Sequence, residues 1–246
     1  LLCCNNSLGL DDQVLSNKLL LSRYKKEKFD NPGVFSPEFK EAIWESSQRN
    51  PFLKIIVEHF RDTLSPGHHW KKANVTLDPS TANPNLVLTE KQKSVRWGDT
   101  HQKLPSNPLR YDSWPCVLGC ERFTSGRHYW EVEVEVGGDK HWIVGVARAS
   151  VQRKGEISLS PEEGIWAIQQ LRQDEYQATT SCATQLSMSS PPRRIRVYLD
   201  YAVGKVAFLN ADTMIPIFTF PPAAFFGETI HPWFGVGKGT RLRLCP

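Results

Sequence analysis

The residues whose types allow covalent or acid–base chemistry are six cysteines (3, 4, 116, 120, 182 and 245), seven histidines, and a possible nucleophile–base–acid set of Ser125, His128 and Asp200. In a hydrolase Ser125 would attack, His128 would take its proton and Asp200 would orient the ring. The surrounding sequence carries none of the devices that make such a set work: there is no G-x-S-x-G elbow and no H-E-x-x-H pair. The glycine-rich run Gly235-Val236-Gly237-Lys238-Gly239 has the look of a phosphate cradle, but no helix is expected after it to supply the dipole, and it reads as a turn before a last strand over Arg241–Cys245. A zinc site needs about four ligands in closely spaced pairs, and Cys116-x3-Cys120 has no second half. On one strand those two would point the same way. The cysteines therefore read as reduced thiols of a cytosolic protein, the sequons at Asn5 and Asn74 as incidental, and the chain as a non-enzyme with no metal and no cofactor.

The elements that position these residues follow from composition and period. Over 246 residues, 40% hydrophobic and 23% charged, the chain has the make-up of an ordinary globular protein. A net charge of +4 is too small and too spread for a nucleic-acid binder. No apolar run of about 18 residues is present to span a membrane. Leu1-Leu2-Cys3-Cys4 lacks the basic start and long apolar core of a signal peptide; the opening on Leu reads as part of a longer chain, and the expected location is the cytoplasm. Eight Trp and twelve Phe are enough to fill a wide sheet-on-sheet core.

Before about residue 65 the pattern is helical. A Leu- and Lys-rich segment from Asp11 to Lys28 ends at Asn31-Pro32-Gly33. A second helix begins at Ser36-Pro37-Glu38, with Ser36 as N-cap and Pro37 in the first turn. Its apolar residues recur four apart at Phe52, Ile56, Phe60 and Leu64, and Pro51 kinks or splits it. Such helices cannot bury their stripes alone and must pack on the next domain, a partner chain, or both. After residue 70 the period becomes two: Trp130, Val132, Val134 and Val136 alternate with Glu131, Glu133 and Glu135; Trp142, Val144 and Val146 with Ile143, Gly145 and Ala147; Ile195, Val197 and Leu199 with Arg194, Arg196 and Tyr198. Many short alternating strands with Gly and Pro turns between them predict an all-β antiparallel sandwich behind a short α-helical stem.

The wording along these strands resembles a known family. Val75-Thr76-Leu77-Asp78-Pro79-Ser80-Thr81-Ala82-Asn83-Pro84 is similar to the opening of PRY segments, and Ser125-Gly126-Arg127-His128-Tyr129-Trp130-Glu131-Val132-Glu133-Val134 to the core strand of SPRY domains. Ser94–Gly98, Arg110-Tyr111-Asp112, Trp142–Val146, Gly164-Ile165-Trp166 and Val197–Tyr201 follow in family order. Ala147 and Ala202 depart from the usual Cys and acidic residue, both as scaffold changes. The stem words Leu20–Arg23, Pro37–Lys40 and Ile43–Gln48 resemble the segment that joins coiled coil to PRY-SPRY in tripartite-motif (TRIM) proteins; butyrophilin tails carry a similar PRY-SPRY, and Cys116–Cys120 fits either. The resemblance implies a stem over residues 1–65 and a PRY-SPRY domain over 66–246, with PRY at about 70–120 and SPRY at about 121–246. It implies a reader of protein targets in innate immunity or protein turnover. The ubiquitin-ligase activity of such proteins resides in a RING finger whose cysteine pattern does not occur in these residues, and a homodimer would form through the coiled coil. The alternative is a butyrophilin-like domain that senses a ligand and relays it in immune signalling.

Family members bind through loops at one edge of the sandwich and the adjoining strand face, where rim sequence can vary without disturbing the core. The matching positions here are Trp114, Ile143, Gln169, Leu171, Arg172, Trp233 and Phe234. Alternation supports part of this set: with Trp142 and Val144 inward, Ile143 faces out, and with Trp166 and Ile168 inward, Gln169 and Leu171 face out. Ile143, Leu171 and Trp233 would be apolar contacts, and Gln169 and Arg172 polar ones. Butyrophilin pockets for phosphorylated ligands are lined by several His, Lys and Arg. The aligned positions here, Trp114, Ile143, Ser158 and Gln177, are uncharged, so the expected partner is a protein or peptide segment. The change of composition at Ser65-Pro66-Gly67 leads to a direct expectation: residues 66–246 alone melt cooperatively, and residues 1–65 at low concentration do not, as thermal circular dichroism of the two fragments will read.

Overall fold

In the computed structural model the described residues are 70–137, 141–188 and 190–246; the expected helical stem over 1–65 lies outside them. Fourteen strands follow in chain order, and among the described residues there is no helix. They are β1 (Lys71–Lys72), β2 (Leu86–Thr89), β3 (Ser94–Trp97), β4 (Cys116–Leu118), β5 (Arg127–Val136), β6 (Trp142–Arg148), β7 (Ile165–Arg172), β8 (Glu175–Ala178), β9 (Thr184–Leu186), β10 (Arg194–Asp200), β11 (Lys205–Asn210), β12 (Pro216–Thr219), β13 (Ile230–Val236) and β14 (Thr240–Leu244). One sheet runs β12-β11-β10-β5-β14-β3-β2 with β1 added in parallel to β5; the other runs β4-β13-β6-β7-β8-β9. Apart from β1–β5 every pairing is antiparallel. The architecture is the all-β antiparallel sandwich that the sequence predicts.

Alternation decides which side chains fill the space between the sheets. Trp130, Val132 and Val134 of β5, Ile195, Val197 and Leu199 of β10, and Leu242 and Leu244 of β14 meet Trp142, Val144 and Val146 of β6, Trp166 and Ile168 of β7, and Phe234 of β13 in one buried cluster. Phe123 lies stacked on Trp130 with ring centroids 5.5 Å apart. Indole N–H groups buried here need acceptors. That of Trp142 donates to Gln170 Oε1 at 2.7 Å, and Gln170 Nε2 donates onward to the Tyr176 hydroxyl at 3.2 Å. Gln170 is thus an inward residue with a structural task.

The outer faces of the two sheets are unlike. On the larger sheet the glutamates of β5 sit directly opposite arginines: Glu131 pairs in register with Arg196, Glu133 with Arg194 and Arg243, and Glu135 with Arg241. Arg196 Nε donates to Glu131 at 2.8 Å, whereas Arg243–Glu133 and Arg241–Glu135 are looser, at 3.6 and 3.7 Å. The two looser pairs are exposed and contribute about 0–1 kcal/mol each, Glu131 is buried against its arginine, and together the pairs leave that face without a strong field.

On the smaller sheet the outer face is apolar and covered. Ile143 and Ala147 of β6, Ile165 and Ala167 of β7, Trp233 of β13, and Cys116 and Leu118 of β4 form a second buried cluster with Tyr111, Val151 and Ile157, while Trp114 and Leu159 pack at its margin. The cover consists of the segment before β4 and the segment between β6 and β7. Their polar groups tie them down: the Trp233 indole donates to the Tyr111 hydroxyl at 3.0 Å, Arg110 donates to the carbonyls of Pro79 and Ala82, and Lys154 to that of Arg110. Gly155 N–H meets the Asp112 carboxylate at 2.9 Å, which holds that carboxyl below its usual range.

The expected strand register therefore stands, and the expected exposure does not. Ile143 points away from Trp142, as alternation requires, yet only 1% of it is accessible, because loops seal the face it points to. The two neighbours respond alike to mutation for different reasons. Trp142→Ala leaves a large cavity and lowers stability by about 3–5 kcal/mol. Ile143→Asp places an unpaired charge in the second core and lowers it by a similar or larger amount. Urea titrations of both variants check this, and a stable Ile143→Asp would mean that the loop cover is not sealed.

Candidate functional site

Pairing register indexes the outer face of the smaller sheet row by row. One row reads Cys116–Gly235–Ile143–Gln169–Gln177–Gln185 across β4, β13, β6, β7, β8 and β9. Its burial falls steadily along the row: Ile143 is sealed, Gln169 is 8% accessible, Gln177 is half-buried and Gln185 is exposed. Towards one end of the sheet, Gly237 N–H donates to the His141 carbonyl at 2.8 Å. The β7–β8 hairpin there carries a register shift at Leu171, so that Arg172 pairs with Glu175. His141, Leu171, Arg172 and Glu175 line an open, shallow depression of about 470 Å³.

This geometry sorts the seven residues expected to touch a partner. Trp114 is half-buried, lying against the margin of the second core. It precedes Pro115, whose carbonyl accepts from Val236 N–H, which puts it at the same end of the sheet as His141. Leu171 is half-buried and Arg172 exposed at the depression, on a strand three spacings or about 14 Å across the sheet from β4, which begins two residues after Trp114. Three residues require correction. Ile143 and Trp233 are 1% and 0% accessible and form the floor beneath the loop cover. Phe234 is 1% accessible and lies on the opposite side of β13, in the core between the sheets; adjacent strand residues cannot share a face. Gln169 faces outward but is mostly covered. His141 and Glu175, not expected from the sequence, complete the depression; the signal available was the two-residue β7–β8 hairpin, which brings Glu175 opposite Arg172.

The Ser125, His128 and Asp200 set does not assemble into a relay. His128 Nε2 meets the Ser125 main-chain carbonyl at 2.8 Å. Asp200, 2% accessible, accepts from Arg127 Nε at 2.5 Å and from the Ala202 amide at 3.1 Å. Each group has a structural partner across or just beyond the β5–β10 pairing. Cys116 is buried, which pushes its thiol pKa up, whereas Cys120 is exposed. They do not point the same way, because β4 ends at Leu118. Among the described residues no group of His, Cys, Asp and Glu is arranged to hold a metal, and no helix is long and apolar enough to cross a membrane.

A two-sheet antiparallel sandwich with loops over one outer face and an open rim defines a binding module. The comparisons define which: the SPRY-associated domain, PRY, matches residues 75–123 and the SPRY domain matches residues 127–246, together more than half of the chain. The chain belongs to the PRY-SPRY family, whose domains bind protein targets. It is 44% identical over 226 residues to the E3 ubiquitin-protein ligase TRIM15 of Sus scrofa, covering 91% of this chain and 48% of that protein. It is 48% identical over 185 residues to butyrophilin subfamily 1 member A1 of Bos taurus, covering 72% of this chain and 34% of that protein. The crystal structure of the TRIM65 PSpry domain superposes with a TM-score of 0.59 at 26% identity, covering 71% of this chain and 90% of that one. The chain thus spans about half or less of the length of these curated relatives.

Two histidines lie towards opposite ends of the smaller sheet, His141 at the depression and His231 opposite Ala147. Burial holds His141 below the usual imidazole pKa. It does the same to His231 on β13, where the Gly119 carbonyl acts in the opposite sense, raising the value. With folded values below the unfolded one, the unfolded chain takes up protons first as the pH drops past about 6.5. Stability is full above that pH and is lost as the pH falls through the folded values. Urea midpoints are therefore expected to decline from about pH 7 to about pH 5, and less steeply in a His141→Gln/His231→Gln double variant; equal slopes would show that neither ring is held neutral.

Proposed function

We propose that this chain is the target-reading part of a TRIM-type protein, holding a segment of a protein partner across the rim marked by Trp114, Leu171 and Arg172. The observation that carries the site is that this rim keeps accessible apolar surface and a free-facing guanidinium beside an open depression, while the face over β4, β13, β6 and the start of β7 is sealed. The observation that favours the TRIM side is extent. The likeness to TRIM15 runs over 226 residues, more than the sandwich contains, and so enters the segment before residue 70. The likeness to butyrophilin runs over 185. On this reading the parent protein is a ubiquitin ligase of innate immunity or protein turnover, works in the cytoplasm, and dimerises through the segment preceding the sandwich.

The second reading, a butyrophilin-like domain relaying a bound ligand, is favoured by the higher identity of 48%. A phosphorylated small metabolite giving saturable heat in calorimetry would support it over the first.

The test of the first reading uses the whole chain. Proximity labelling in cells identifies partners, and calorimetry with a purified one measures the effect of rim substitutions. Leu171→Asp and Arg172→Glu are expected to weaken binding by about 1–3 kcal/mol each, roughly 5- to 150-fold, with folding stability unchanged within about 0.5 kcal/mol. Phe226→Ala serves as control. Phe226 is 79% exposed and its ring lies 5.0 Å from the Arg148 guanidinium, at the other end of β6. Loss of binding in Phe226→Ala with full binding in Leu171→Asp would move the site to that end.

A further inference from the structure

Resting on the rim as the binding face, the geometry points to a side-chain carboxamide of the partner, an Asn or Gln in an extended segment, as the group read by the row Gln169–Gln177–Gln185. Three observations lead there. First, the three residues are cross-strand neighbours on one face, Gln169 opposite Gln177 and Gln177 opposite Gln185. The inward neighbours Ile168, Tyr176, Ala178 and Leu186 belong to the main core, which leaves the glutamines pointing outward. Secondly, Gln169 is more than nine-tenths buried, at 8% accessible, yet its carboxamide has no hydrogen-bond partner among the described residues. A partner group that displaces water from such an amide has to replace the hydrogen bonds the water made. Gln169 is also not among the residues whose unpartnered polar atoms are sealed from solvent, so its amide opens onto the surface. Thirdly, Gln177 Nε2 donates to Gln185 Oε1 at 3.4 Å. That bond uses one donor and one acceptor, leaving Gln177 Oε1 as an acceptor and Gln185 Nε2 as a donor for another group.

The chemistry then selects the ligand. Each glutamine amide offers both a donor and an acceptor side by side. A carboxylate or phosphate from the partner would accept from the Nε2 groups but meet the Oε1 atoms without a proton to share. An ammonium or guanidinium would have the converse mismatch. A neutral group with its own C=O and N–H satisfies Gln169 and Gln177 together without bringing an uncompensated charge onto a mostly covered surface, and among partner side chains only those of Asn and Gln offer a carbonyl and an amide N–H side by side. Leu171, two residues along β7 on the edge of the depression, would hold the apolar residue next to that amide. A site built to hydrogen-bond an amide rejects analogues lacking one of its groups, because its own polar atoms are then left unpaired.

The test is selection of a phage-displayed random peptide library on the purified whole chain, followed by fluorescence polarisation with the selected peptides. Expected are peptides with a recurrent Asn or Gln, whose replacement by Asp or Glu weakens binding at least tenfold. The near-isosteric Gln169→Glu and Gln177→Glu variants, which remove donors and add charge, should lose the same peptides. Gln177 is half-buried, so Gln177→Glu remains informative if Gln169→Glu lowers stability in a parallel melt. Enrichment of acidic, basic or phosphorylated residues, or of no peptide at all, overturns the inference. Peptides that are lost with Leu171→Asp but bind both glutamate variants normally also overturn it, while leaving the rim as the binding face. Peptides that tolerate all three substitutions remove the rim as well.

Discussion

Strand β6 is apolar on both faces, and the rest of the molecule is arranged to keep both of them dry. It sits between β13 and β7 with Trp142, Val144 and Val146 turned to the core between the sheets and Ile143 and Ala147 turned to the outside. At its centre Gly145 has no room for a side chain: a Cβ there would lie 2.3 Å from the Trp166 carbonyl oxygen and 2.4 Å from the Ala167 Cβ. A sheet whose middle strand is apolar outward cannot leave that side to water. The segments carrying Tyr111 and Ile157 close it, and the hydrogen bonds of Tyr111, Arg110 and Asp112 hold the closure in place. The partner-facing surface is consequently not the strand face itself but the margin where the closure stops.

How much of this was legible depended on the element. Strands β5, β6 and β10 show their register by alternation, and the words along them are specific enough to carry the family resemblance. What alternation does not report is the environment of the second face. On β5 the outward residues are Glu131, Glu133 and Glu135; water is the right inference for the last two, whereas Glu131 is 7% accessible and held by Arg196. On β6 they are Ile143, Gly145 and Ala147, and on β7 Ile165 and Ala167. Up to Gln169 on β7 those runs carry no polar residue, which is the pattern of a strand covered on both sides. The expectation that Ile143 is an exposed contact gave no weight to Gly145 and Ala147 beside it. Phe234 failed on parity alone, since Trp233 already occupied the outer side of β13. His141 and Glu175 owe their position to the β7–β8 hairpin closing where it does, which sequence gives only loosely.

Two adjacent glutamines show how far position outweighs residue type. Gln170 lies inward and spends its carboxamide on the Trp142 indole and the Tyr176 hydroxyl, which allows a tryptophan and a tyrosine to be buried without stranded polar atoms. Gln169, one residue earlier, has the same amide on the other face with no partner among the described residues. The larger sheet solves its polarity differently: by setting arginine opposite glutamate along β5, β10 and β14 it uses many of its charged groups against one another. The net charge of +4 is therefore not gathered into a field that would draw in polyanions.

The closure over the second core divides its own loop into two kinds of sequence. From Asp99 to Leu109 most side chains are exposed, with Leu104 and Leu109 at 39% and 47%, and a doubling of that stretch would add only about 0.6 kcal/mol of chain entropy to folding. From Arg110 to Cys116 the same loop is a lid: Tyr111 is fully buried against Trp233. Insertions, length variants and transplanted sequence can accumulate in the first part and are excluded from the second. A lineage altering what this domain recognises would thus lengthen and rewrite the loop's outer arm freely, but could change its inner arm only one compatible residue at a time.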